Sequence, residues 1–367
     1  MGKFMHTLVK PIGIRTPGLL VTALILILTA CSNGGTQANT VTPTTGSGNS
    51  SPQQSNLPIV ALPGYHVSLF ASAAANYSAP DSVVADGGHI FIDYQNVTAK
   101  NCTDNNTSTI VEYTMDGKVV KTFTMPGHSD GMRVDPSSHL LWVTSCEDGN
   151  PKMATIDPNS GTVTPYTFPP TTHGGGYDDL YFLNGKTFLT ASNPSLDKNG
   201  NNVFPALYSI TLGNGKVSLT PVLMGNASAT DNTLNTKITL NLVDPDSLSV
   251  DSTNNDLILI NQGGSQIIFL SNPGTPQQKV TSTTVGTQLD DTVWASSAQG
   301  RLLITDGTSG NSYWLSTTFK PGSVYTQTPD DSGVAGLVAH VDPTSGTVSA
   351  VAIGFGKPTG MIFVPNS

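Results

Sequence analysis

An aspartate returns just ahead of a short apolar segment again and again along this chain. It stands in Pro80-Asp81-Ser82-Val83, Ser129-Asp130-Gly131-Met132, Tyr177-Asp178-Asp179-Leu180, Pro245-Asp246-Ser247-Leu248 and Leu289-Asp290-Asp291-Thr292-Val293. Pro358-Thr359-Gly360-Met361 is a further copy without the acid. From Asp81 the spacings are 49, 48, 68 and 44 residues, then 69 to Thr359, a period in the forties with two insertions. A repeat of that length confines the chain to a stacked or radial architecture, and the content of each repeat points to a β-propeller.

Each motif segment is followed by a turn and a second apolar run. The turns are Asp86-Gly87-Gly88, Asp135-Pro136-Ser137, Asn184-Gly185, Asp251-Ser252-Thr253-Asn254 and Gln299-Gly300, and the runs include Leu257–Ile260 and Leu302–Thr305. Short β-branched runs joined by such turns are antiparallel hairpins. Third and fourth strands follow, as in Thr109–Tyr113 through Asp116-Gly117 to Val119–Phe123, and in Val338–Val341 through Asp342–Gly346 to Val348. Four antiparallel strands per repeat make a propeller blade. The expected fold is therefore all-β, a propeller of six four-stranded blades over 57–367. His66–Phe70 joins the C-terminal strands to close the ring, which leaves few exposed edges. No stretch beyond the N-terminus keeps helical periodicity.

The first thirty residues read differently. Lys3, Lys10 and Arg15 precede an apolar run from Leu19 to Leu28, about half of what a spanning helix needs. The pattern predicts a signal peptide over 1–30. Leu28-Thr29-Ala30-Cys31 resembles the lipobox of bacterial lipoproteins, which implies lipid on Cys31 and anchorage of the exported chain to the cell envelope. The anchor lies at the outer membrane in a Gram-negative source and on the outer face of the single membrane in a Gram-positive one. Residues 31–56 are Ser, Asn, Gly, Thr and Gln with little apolar content, and so form a flexible tether.

Removal of 1–30 takes away three basic groups and no acid, so the net charge moves from −9 to −12. That balance excludes nucleic acid as a partner, because phosphate binding needs a basic surface. Only 11% of residues are charged, which suits an exported β-protein with a Thr-, Ser- and Asn-rich surface. Cys102 and Cys146 both follow second strands of neighbouring repeats, 44 residues apart. In an oxidising compartment they are expected to form a disulfide.

The first strand of each blade lines the central channel, so Asp81, Asp130, Asp178, Asp246 and Asp290 are expected to ring one mouth. Crowded carboxylates share protons or hold a cation, and oxygen ligands favour Ca²⁺ or Mg²⁺. The competing reading makes these acids blade-to-blade cement, accepting hydrogen bonds from backbone N–H groups next door. Asymmetry singles out His128, His173, Tyr177, Asp178, Asp179, Asp290 and Asp291 as ligand-binding candidates, with Asp179, Asp291 and His128 as candidate proton carriers. The run Gly174-Gly175-Gly176 allows close backbone approach. Glu147, Asp148 and Gln262 follow second strands and reach the same mouth or read as solvated loop. No phosphate loop, nucleophile elbow or zinc-type histidine spacing is present.

The blade grammar, as in Pro245-Asp246-Ser247-Leu248-Ser249-Val250-Asp251 followed by Asp256–Ile260, resembles the six-bladed propellers grouped around senescence marker protein-30, gluconolactonase and the NHL repeat proteins. The pattern is closest to bacterial lipoproteins of that fold. The lactonase members hold one divalent metal at the channel mouth through Glu, Asn-type and Asp ligands. Here Asp81 stands where the family has Glu, and Asp130 and Asp178 stand where it has Asn. Two functions are compatible with this chain: an envelope propeller that binds a small molecule or an envelope protein at its acidic mouth, and a metal-dependent lactonase or esterase.

Overall fold

Why the second strands are apolar along their whole length becomes clear from what lies on either side of them. In Leu257-Ile258-Leu259-Ile260, Leu257 and Leu259 pack into one buried cluster with Phe188, Leu207 and Leu248, while Ile258 and Ile260 pack into another with Val324 and Val341. Ile90 and Ile92 likewise face Leu303 and Trp314, whereas Phe91 faces Met132 and Val143. Each sheet is thus covered on both faces by its neighbours, and alternate residues of one strand serve alternate interfaces.

The computed structural model describes residues 59–72, 76–329 and 335–366. The expected signal peptide, Cys31 and the tether lie outside the described residues. Every regular element among the described residues is a β-strand, and the fold is a β-propeller. The first four repeats build antiparallel sets in chain order, beginning with Pro80–Asp86, His89–Tyr94, Thr107–Thr114 and Val119–Pro126. The innermost strands Pro80–Asp86, Ser129–Val134, Leu180–Leu183, Pro245–Val250, Thr292–Trp294 and Pro358–Pro365 each pack on the next, and the last returns to the first. The long interval before Asp246 holds an extra hairpin, Ser228–Asp231 with Thr236–Thr239, added to the outer edge beside Lys279–Thr284.

The remaining two sets are interleaved. Thr292–Trp294 does not form a hairpin with Gly300–Asp306, as the Gln299-Gly300 turn suggested. It pairs with Val324–Thr328, while Gly300–Asp306 pairs with Pro358–Pro365 and Asn311–Ser316. The chain therefore starts one set, lays two strands of the next, returns to finish the first with Gly336–Val341 and Val348–Phe355, and then supplies the inner strand of the second. His66–Ala71 adds the outer strand on Asn311–Ser316, so the ring is closed by strands from both ends of the domain. The two-residue strand Val60–Ala61 covers the outer edge beside Val348–Phe355. Local turn chemistry specifies a reversal but not its partner, and here the neighbouring apolar strands decide the pairing.

Candidate functional site: an acidic cavity at one mouth of the channel

The aspartate of each repeat sits at the start of an inner strand, and threonines of neighbouring strands hold that backbone in place. Thr305 Oγ1 donates to Asp81 O at 2.9 Å, Thr359 Oγ1 to Pro80 O at 2.7 Å, Thr144 Oγ1 to Asp178 O and Thr326 Oγ1 to Asp291 O at 3.3 Å. The first three of these bonds join neighbouring blades, and the side chains of Asp81, Asp130, Asp178, Asp246 and Asp290 line a cavity of about 570 Å³. Glu147, Asp148 and Gln262 line it as well. The lining holds ten carboxyl groups against two lysines, Lys100 and Lys357.

The doubled acids play a different part. Asp179 Oδ2 accepts from Leu248 N at 2.9 Å and from Arg133, and its Oδ1 accepts from Leu180 N at 2.7 Å. Asp291 Oδ2 accepts from Met361 N at 2.8 Å. Arg133 also donates to Leu248 O at 2.8 Å and Met132 O at 2.9 Å. Asp179 and Asp291 line the inner end of the cavity and, with Arg133 beneath them, tie neighbouring inner strands together. Of the acids in the ring, Asp179 and Asp291 are thus the two that accept the backbone N–H of a neighbouring blade, as the cement reading expected.

One part of the wall concentrates oxygen. Asp130, Glu147 and Asp178 are all buried, and each offers a carboxylate oxygen within 4.8 Å of the other two. Asp130 is 8% exposed and its Oδ2 has no hydrogen-bond partner, while Gln95 Nε2 bridges Asp81 Oδ2 at 2.9 Å and Asp130 Oδ1 at 3.5 Å. Two ligands on one calcium ion, each about 2.3–2.6 Å from it, can stand up to about 5 Å apart, so this set fits a hard cation. Glu147, expected from the sequence either to reach this mouth or to sit in solvated loop, is 7% exposed and is a member of the set.

Two features fix Glu147. The Cys102–Cys146 disulfide, Cα to Cα 5.4 Å, ties the loop carrying Lys100 to the loop carrying Glu147. Gly176 then comes so close to that second loop that its N–H donates to Glu147 O at 2.6 Å, and a Cβ there would lie 2.3 Å from Cys146 O. The glycine run therefore serves approach to the Glu147 loop. Behind it, buried His173 donates through Nε2 to Gly176 O at 2.7 Å and lies 5.2 Å from the Tyr177 ring, which stacks on Phe168. Neither His173 nor Tyr177 lines the cavity. His128 stands behind Glu147, 4.0 Å from it, with Nδ1 2.8 Å from Thr98 Oγ1.

The electrostatics follow from burial and crowding. Burial, Glu147 and Asp81 push the Asp130 carboxyl well above the ordinary range; burial, Asp130 and Asp246 do the same to Asp178. Burial and neighbouring acids raise Asp246 and Asp290 as well, and Asp291 is raised to about 7 against the pull of Arg133. Glu147 is the exception, because the Lys100 ammonium paired with it outweighs its burial and holds it below its usual value. Lys100 in turn is raised by Glu147, Asp130 and Asp178 despite burial. Burial lowers the pKa of both His128 and His173. Lys100 carried no sequence signal, since it lies between motifs and reaches the site only through the disulfide-bound loop.

No protein-family model matches the chain, and no curated protein matches it. Among solved structures it is similar to a protein described as a 6-phosphogluconolactonase from Bacteroides uniformis, at 11% identity over 80% of this chain and 90% of that one, with a TM-score of 0.45. The periplasmic gluconolactonase of Pseudomonas aeruginosa matches at 10% identity over 78% and 88%, TM-score 0.40. A Trichoderma reesei carbohydrate-active enzyme of family AA12 matches at 13% over 84% and 94%, TM-score 0.40. At such identities and scores nothing of these proteins' activities carries over to this chain.

Proposed function

We propose that this chain is an exported cell-envelope lipoprotein, anchored through Cys31 and held off the membrane by the 31–56 tether. Its propeller, read as six blades of the senescence marker protein-30, gluconolactonase and NHL type, binds one divalent cation at the acidic mouth, and a small molecule or envelope protein there. The observation that carries this reading is the buried set Asp130, Glu147 and Asp178 with an unbonded Asp130 oxygen inside an acid-lined cavity. Calcium suits the spread of these oxygens better than magnesium, whose shorter bonds of about 2.0–2.1 Å demand a tighter set. A bound cation would also offset the burial and mutual repulsion that raise the Asp130 and Asp178 carboxyls.

The test is calorimetric titration of CaCl₂ into the mature chain after exhaustive dialysis against EDTA, with melting measured in parallel. One site is expected, with a calcium-dependent rise in Tm and a roughly hundredfold loss of affinity, about 3 kcal/mol, in Glu147→Gln. Absence of calcium binding and of any shift in melting would falsify the reading.

A metal-dependent lactonase or esterase is the second reading, and the position of Asp291 favours it. A bound cation would supply polarisation of a substrate carbonyl. Of the three candidate proton carriers, Asp179 is bonded to Arg133 and Leu248, and His128 lies behind Glu147. Asp291 faces the cavity with its pKa raised to about 7, which suits proton transfer near neutrality. A panel of lactones and esters should be hydrolysed by the calcium-loaded wild type and not by Asp178→Asn; no turnover by the wild type rejects this second reading.

A further inference from the structure

The channel has a second mouth, and its chemistry is the opposite of the first. Beyond Arg133 and Asp291 lies a separate cavity of about 400 Å³. Its walls are apolar and aromatic, with Val134, Tyr181, Val250, Trp294, Ile362 and Phe363 among them. Cavities that bind small organic molecules are concave and mostly apolar, with a few polar groups converging on one end. This one has that plan: the polar end is Arg133, Asp291 and Ser249, whose buried Oγ has no hydrogen-bond partner.

The charges at that end select the ligand. Arg133 is already neutralised by Asp179 and donates to two backbone carbonyls. Asp291 accepts from the backbone N–H of Met361, and among the described residues no basic group stands within ion-pair distance of it. The cluster at this end thus holds two carboxyls, Asp179 and Asp291, against the single guanidinium of Arg133. Trp294 and Phe363 add aromatic rings to the same lining, the Tyr181 ring already having Arg133 over it at 5.9 Å, and aromatic faces attract cations as well as apolar bodies. We propose that this second cavity binds a small organic monocation, an ammonium group borne on an aromatic or aliphatic body. The body lies against the inner-strand ends, and the ammonium sits at Asp291 and Ser249 Oγ.

The experiment titrates 2-phenylethylammonium into the mature chain, with 2-phenylethanol and 3-phenylpropionate as uncharged and anionic counterparts of similar shape. Excess CaCl₂ is present throughout, to occupy Asp130, Glu147 and Asp178 at the acidic mouth. Saturable binding of the amine at one site is expected, with the alcohol at least about tenfold weaker and the acid weaker still. Val250→Trp, which fills the cavity from its wall, should abolish amine binding and leave the calcium titration unchanged. Should Val250→Trp fail to fold, Phe363→Ala removes one aromatic wall and should weaken the amine at least about fivefold. No saturable binding, binding that survives these variants, or equal affinity for amine and alcohol each overturns the proposal. Val250 and Phe363 line only this second cavity, so loss of amine binding in their variants reports on it whether or not calcium binds at the acidic mouth.

Discussion

The two mouths of the channel are built from the same strands and differ in every property that matters for binding. Six motif residues, Asp81, Asp130, Asp178, Asp246, Asp290 and Thr359, face one cavity. The residues three places on, Val84, Arg133, Tyr181, Ser249, Val293 and Ile362, face the other. In a regular pleat, residues three apart point to opposite faces. Three of these inner strands break register after the first residue, between Pro80 and Val83, Ser129 and Met132, and Pro245 and Leu248. A bulge of that kind re-aims the side chains beyond it. The position directly after the motif residue is the septum, and it tolerates little. Gly131 and Gly360 have no room for a Cβ, with Asp178 O and Asp81 O at 2.5 and 1.9 Å, while Asp179 and Asp291 reach across to a neighbour's N–H. One short motif thus produces a polar end, a packed middle and an apolar end.

The comparison breaks most severely if the septum is removed. Arg133→Met leaves the buried Asp179 carboxylate without its cation and should cost about 3–5 kcal/mol of stability, measured by urea denaturation. Adding Asp179→Asn should recover part of that loss; if the double variant is no more stable than the single, the pair is not what holds the septum. The disulfide comes next, and it touches only the acidic side. Replacing Cys102 and Cys146 by serine removes a link spanning 44 residues, worth about 4 kcal/mol on the loop-entropy model. It should also weaken calcium, because the loops bearing Lys100 and Glu147 are no longer tied, while leaving the amine titration at the other mouth unchanged.

Much of this was legible in the sequence, for identifiable reasons. The period, the strand content and the closing role of His66–Ala71 could be read because apolar runs and turn residues are local signals. The disulfide could be read because both cysteines hold equivalent places in adjacent repeats. The interleaving of the last two sets could not, since Thr292–Trp294 is equally apolar whichever strand it meets. The division of labour between Asp178 and Asp179, or Asp290 and Asp291, was also hidden, because a pair of acids does not reveal which one faces the channel. Glu147 and Lys100 come together through the disulfide and the close pass of Gly176, and the spacing that revealed the disulfide does not show which neighbouring side chains it carries into the cavity.

A pH series sharpens the contrast between the mouths. Asp130, Asp178, Asp246 and Asp290 have raised pKa values, and Asp291 moves from 3.8 to about 7, so the folded chain retains protons that the unfolded chain has released. The stability these groups contribute is fully present below the ordinary carboxylate range and is lost as pH rises through the folded values. In EDTA, stability should therefore fall between about pH 4 and 7 and beyond, each retained proton contributing on the order of 1 kcal/mol per pH unit. Calcium should reduce that slope, and Asp246→Asn should flatten it. A metal-free melting temperature that climbs over this range would mean the ring is ionised and stabilised by something other than shared protons.

The smallest effect isolates a single charge. The Lys100 ammonium is paired with Glu147 and is held charged by Asp130 and Asp178 as well, so it occupies electrostatically the place a metal ion would take. Its side chain is 56% exposed, which leaves it room to swing away into solvent. A divalent ion must displace this tethered cation before it can bind all three carboxylates. Lys100→Met removes the competitor and should tighten calcium about tenfold, close to 1.4 kcal/mol, while lowering the melting temperature measured in EDTA because Glu147 loses its partner. Opposite signs in the two readouts mark competition, since a lysine that merely supported the fold would weaken both. Weaker calcium binding in the variant would instead make Lys100 part of the ligand's own site, reaching an anionic group beside the metal.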